Sequence, residues 1–407
     1  MSTFAWLDFS ERERRKMLDV VDLFREHETQ DELGIGTVRD AFADMFFPGT
    51  STIMTRARYF LLVPWTYLRL EAKGIHSAEI AERARRAETD LIEVIAQSGD
   101  KEGNIGRRAK HALKRLPSSA YWAGLATWGI RNFAGAQAQY HRSLDSFYLA
   151  TERHSLRAQE RDAEHDDTVL PNWHGGLIAA SKDFPRQCSL GLTRREAEYL
   201  AERIRLAPGT AKSLLAEFLA RDTAPSDVDF VWEDPIMAGL PERFSAPLAH
   251  ARNFSELMHG AALLYNLMLS EQLGSEDLIE RYRTDMAEWA RILELRRKHL
   301  EAWRWPDFWK LVLEVNGRIT TPTQRFIEAW RDLVIGGNTR KISQLKPART
   351  LVHERERRLK GKLARLDNVR AREVWGGRSG SAQLDFRWRI ARDLLGDIFD
   401  GLRRTNA

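Results

Sequence analysis

The chain predicts an all-α fold, with many helices arranged in two or three domains, and three observations carry that prediction. Apolar residues recur every three or four positions along most of the 407 residues, while the alternating runs that mark strands are almost absent. Helix-start signals recur as well, the clearest being the capping box formed by Thr193 and Glu196. The length, with an apolar content of 43%, supplies more material than one hydrophobic core usually organises.

Taken in order, Ser10 precedes a helix expected over 11–27, with Met17, Val20, Val21 and Phe24 on one face. The most hydrophobic stretch, 59–70, is about half as long as a membrane span requires, and Arg56, Arg58 and Arg69 stand at its edges. It reads as a buried helix. Further helices are expected over 78–95, 106–115, 193–206, 254–273, 275–295, 323–334, 347–366 and 384–402. The periodicity gives out between Ser155 and Pro185, and again at Gly336-Gly337-Asn338. The expected organisation is an N-terminal helical domain at 1–154, a linker or long loop at 155–185, a central scaffold at 186–335 and a basic helical segment at 336–407.

Charge is distributed unevenly. The last 72 residues hold 18 Lys and Arg against 8 Asp and Glu, in a chain whose formal net charge is only +5. Arginine dominates, and Trp375, Phe386 and Trp388 are interleaved, a composition suited to phosphate. On the helix expected over 347–366, Arg349, Arg355, Arg357, Arg358, Lys360, Lys362 and Arg365 repel one another at three- and four-residue spacings, which a neutralising partner would relieve. DNA or an acidic protein face would serve. A second patch, Lys101 to Arg115, contributes Arg107, Arg108, Lys110, Lys114 and Arg115 against Glu102. With the helix that follows Pro117 it forms a possible helix-turn-helix. That second helix carries Tyr121, Trp122, Leu125 and Trp128, so it is better suited to packing than to reading bases.

No catalytic motif stands out, and the expectation is a non-enzymatic protein without cofactor or metal. The Gly376-Gly377-Arg378-Ser379 turn lacks the Gly-Lys-Ser/Thr ending of a P-loop. Asp162, Glu164, His165, Asp166, Asp167 and His174 offer metal-ligand types without a recognisable ligand spacing. The single cysteine, Cys188, excludes an intramolecular disulfide and fits a reducing cytoplasm. The opening Met1 to Trp6 runs at once into charged residues, without the apolar run of a secretory leader.

The stretches at 4–10, 31–40 and 47–53, together with Pro117-Ser118-Ser119-Ala120-Tyr121-Trp122 and Leu384-Asp385-Phe386-Arg387-Trp388, resemble an uncharacterised bacterial family of about this size that carries a domain of unknown function. The resemblance covers essentially the full length and implies a neighbourhood of phage-defence genes in which DNA is a natural partner. It assigns no catalytic residues. The sequence therefore points first to non-sequence-specific binding of DNA or nucleoprotein through the basic C-terminal segment. A structural subunit meeting an acidic protein partner comes second, and a metal-dependent nuclease with a site dispersed in sequence, involving His165 or His174, comes third.

Overall fold

The computed structural model describes residues 31–100, 102–109, 113–159, 169–337 and 339–405. Those residues form α-helices and short 3-10 turns and no strand, the only β-type pairing among them being the bridge between Arg131 and Trp173. The all-α prediction holds. The helix expected over 11–27 lies outside the described residues.

The chain divides into two compact units, each assembled from separated stretches: Met1–Phe42 with Pro241–Phe386, and Ala43–Leu240 with Arg387–Ala407. The first division falls inside helix α1 (Gly36–Phe46), whose first turn is capped by Asp31, with its two carboxylate oxygens accepting from the N–H groups of Ile35 and Gly36 at 2.8 and 2.6 Å. The limits read from the sequence at 155–185 and 336 both lie within a unit. The basic segment at 336–407 is accordingly shared between two cores.

In the second unit, helix α2 (Tyr59–Glu71) is the hydrophobic stretch foreseen from the sequence, and it is buried from Tyr59 through Tyr67. Around it lie α3 (Ile80–Gln97), α4 (Pro117–Thr127) and α5 (Gln137–Gln159). The Phe60 and Trp128 rings stack at 3.7 Å. After α5, residues 169–192 run without helix yet stay fixed to this unit: Trp65 Nε1 donates to the Ile178 carbonyl at 2.6 Å, and Asn132 Nδ2 donates to the Trp173 carbonyl at 2.9 Å. Helix α6 (Arg194–Leu206) starts at the predicted capping box, and α7 (Leu214–Ala220) follows.

In the first unit, α8 (Glu242–Leu273) and α9 (Glu276–Glu301) form a hairpin turned at Gly274, which takes the left-handed conformation that ends many helices. Helices α10 (Trp305–Val315), α11 (Thr321–Gly336) and α12 (Lys346–Lys360) complete the core, with Trp289, Trp330 and Phe308 buried. The expected helix over 347–366 stops at Lys360, because Gly361 takes a φ of 53° and turns the chain out. A short α13 (Val369–Glu373) follows.

The last helix, α14 (Trp388–Leu402), returns to the second unit and packs against α6. It starts later than the predicted 384 because Phe386 and Arg387 both take positive φ, 52° and 67°, and break the helical path. Trp388, Leu394, Leu395, Ile398 and Phe399 are buried, and Asp397 accepts from Arg56 Nε at 2.9 Å and from the Ala57 N–H at 2.8 Å. Among the described residues no helix is long and apolar enough to cross a membrane.

Candidate functional site

Most of the cations expected to form a C-terminal surface are occupied within the first unit. Arg355 is only 5% exposed. Its Nε donates to the Leu33 carbonyl at 2.8 Å, its Nη2 donates to Gly34 and Thr323 at 3.0 and 2.9 Å, and the guanidinium lies over the Phe326 ring. This corrects the placement of Arg355 on a phosphate-binding face. Arg349 pairs with Glu271, and Arg357 with Glu354 at 2.6 Å.

Lys360 and Arg365 converge on Glu32, Arg365 at 2.6 Å. Beside them the fully buried Glu356 accepts from Tyr265 O–H at 2.7 Å and from the N–H groups of Arg365 and Leu366 at 2.9 and 3.0 Å. Two buried carboxylates thus face two half-buried cations, in a place where an unpaired buried carboxylate would cost several kcal/mol. The repulsion foreseen along this segment is real, but carboxylates of the same chain relieve it. Of the seven expected cations, Arg358 and Lys362 are exposed with no ion pair among the described residues.

The second patch lies in the other unit. Residues 105–109 are turns and 114–115 a bend, so the predicted helix over 106–115 is absent from the described part of that range; Lys110 lies outside it. Helix α4 is buried through Tyr121, Trp122 and Leu125. Tyr121 Oη accepts from the Thr55 N–H at 2.9 Å and donates to the Arg56 carbonyl at 2.9 Å. The face that α4 leaves to solvent carries Ser119 and Ala123, neither of which is a cation or an amide suited to reading base edges.

The cations nevertheless remain on the surface. Arg107, Arg108 and Lys114 are exposed and Arg115 half-buried. Arg85, exposed on α3, joins them by donating to the Leu113 carbonyl at 2.8 Å. Sequence reasoning missed Arg85 because its membership depends on a contact 28 residues away. Its neighbours Arg83 and Arg86 pair with Glu79 and Glu82 one turn back, whereas Arg85 has no such partner in the i−4 position, which is Ala81.

The model of a family of unknown function (DUF6361) matches residues 1–401. The chain belongs to that family. Its match spans both units, and with them both groups of cations, but the family description assigns no activity. No curated protein and no solved structure matches the chain.

Of the residues considered for metal or nuclease chemistry in this DUF6361 member, Asp162, Glu164, His165, Asp166 and Asp167 lie outside the described residues. His174 is described, and its Nε2 accepts from Arg203 Nη1 at 2.8 Å, which leaves Nδ1 facing Tyr199 Oη at 3.2 Å. Burial and the Arg203 charge push the imidazole below its usual pKa, so it is held neutral as an acceptor. Among the described residues no three metal-ligand side chains gather. Burial pushes the Cys188 thiol up to about 11, which keeps it protonated.

Proposed function

We propose that this DUF6361 member binds DNA without sequence specificity through the surface formed by Arg85, Arg107, Arg108, Lys114 and Arg115. The observation that carries the reading is the gathering of these cations from α3 and from the turns that follow it, with none of the exposed large aliphatic residues among them. A phosphate surface is cationic and polar, and arginine contributes bidentate contacts to it. Among the described residues only Arg85 of this patch stands on a helix and the rest come from turns and a bend, so the contacts would fall on the backbone, which positions but does not specify. The setting implied by the family resemblance, a DNA-handling defence complex, is part of the same proposal.

The test is fluorescence anisotropy of a labelled duplex with the full chain across a salt series. About four phosphate contacts give a log-log slope near −3.6, so affinity falls roughly 100-fold between 50 and 200 mM salt. Replacing Arg107, Arg108 and Lys114 together by Glu abolishes this binding, while Arg358→Glu with Lys362→Glu leaves it unchanged. Failure of the wild-type chain to bind at low salt, or equal binding by the triple variant, overturns the reading.

A further inference from the structure

The turn after α12 leaves an unusual surface in the first unit. Within residues 359–374, Leu359 is 45% exposed, Leu363 71%, Val369 57% and Val374 71%. Aliphatic side chains scattered singly on a surface are ordinary, whereas four exposed within sixteen residues are a local concentration of apolar surface. Exposed Arg358, Lys362 and Arg370 stand among them.

The backbone under these side chains is pinned, so their exposure is built in. Glu356 holds the N–H groups of Arg365 and Leu366. Asn368 donates from Nδ2 to the Lys362 carbonyl at 2.7 Å and accepts from the Ala371 N–H at 3.0 Å. Arg372 donates to the Arg365 carbonyl at 2.9 Å. Ala364, Leu366 and Trp375 take the inward positions, while Leu363 and Val374 stand outward. A surface fixed in advance loses little entropy on binding.

We infer that this surface docks an acidic segment of a partner protein that carries aliphatic side chains. The cations select the charge, and the aliphatics select protein over nucleic acid: interface cores combine apolar anchors with arginine, whereas a phosphate backbone offers nothing for Leu363 or Val374 to bury against. Arg357 is already paired with Glu354, and only Asp367, held by His353, and Glu373 add negative charge from 357 to 374. The surface therefore keeps a net positive charge toward its partner.

The experiment presents the full-length protein to an array of short acidic peptides carrying Leu, Ile or Val at varied spacing, with matched peptides in which Ser replaces the aliphatics. The best binders are then measured by anisotropy. The expected result is at least tenfold tighter binding of the aliphatic peptides than of their Ser counterparts, and a tenfold loss in both the Leu363→Ser/Val374→Ser and the Arg358→Glu/Lys362→Glu variants. The Arg107→Glu/Arg108→Glu variant binds the peptides unchanged, which separates this inference from the DNA reading. Equal binding of both peptide sets, or none, overturns it. So does concentration-dependent self-association abolished by Leu363→Ser/Val374→Ser, which would assign the surface to a second copy of the chain.

Discussion

Arg355 and Arg358 lie three residues apart on α12 and have the same chemistry, yet replacing each by Met should have very different consequences. At Arg355 the change removes donors to Leu33, Gly34 and Thr323 and a stacking contact on Phe326. The Gly34 carbonyl keeps a donor in Thr323 Oγ1 at 3.4 Å, while the Leu33 carbonyl loses its side-chain donor. Three hydrogen bonds at about 1 to 1.5 kcal/mol each, plus the cost of an unsatisfied carbonyl, exceed what is recovered by no longer burying a guanidinium, and the net loss is about 2 to 4 kcal/mol. Arg358 is exposed, and its loss should stay within about 0.5 kcal/mol. Hydrogen exchange measured on peptides covering 31–36 and 346–360 reads the difference directly. Arg355→Met should exchange roughly 30- to 900-fold faster in the equilibrium-opening regime, and Arg358→Met at nearly the wild-type rate. Equal exchange in the two variants would refute the assignment of Arg355 as a buried tie.

Three further outcomes follow from the same geometry. Glu88 is fully buried in α3, its Oε2 accepts from the Ser118 N–H at 2.7 Å, and burial pushes its pKa up to about 7 against the partial opposition of the Ser118 hydrogen bonds and, less, of Arg85. The folded state then binds this proton more tightly than the unfolded state, so stability falls as pH rises from about 4 to about 7, by on the order of 3 kcal/mol; in Glu88→Gln this dependence should vanish from urea midpoints taken between pH 5 and pH 8. A Cβ at Gly260 would lie 2.2 Å from the Trp289 indole, which is held by its hydrogen bond to the Glu256 carbonyl, so Gly260→Ala should lower the melting temperature by roughly 4 to 10 °C. A chain ending at Phe386 loses the five large side chains that α14 buries, about 7 to 15 kcal/mol of apolar burial, and should show no cooperative melting of the second unit by circular dichroism. Retention of that transition would show α14 to be dispensable.

Local signals were legible in the sequence. The 3.6-residue period announced the helices, Thr193 and Glu196 announced the start of α6, and the apolar run beginning at Tyr59 announced a buried helix, because each depends on residues within a few positions of one another. The excess of arginine near the C-terminus was equally plain, but its meaning was not. Arg365 meets Glu32 from 333 positions away and Arg355 meets Leu33 from 322, distances over which composition carries no record of pairing. The sequence also could not show that Gly361 would end α12, since a lone glycine in a charged helical pattern is tolerated or terminal according to what the following residues can bury. By itself the sequence determined the all-α class, most of the helices and the total charge. Only the tertiary structure decided which cations neutralise the protein's own carboxylates and which remain at the surface, because burying a charge is favourable only beside a partner that the fold alone brings within reach.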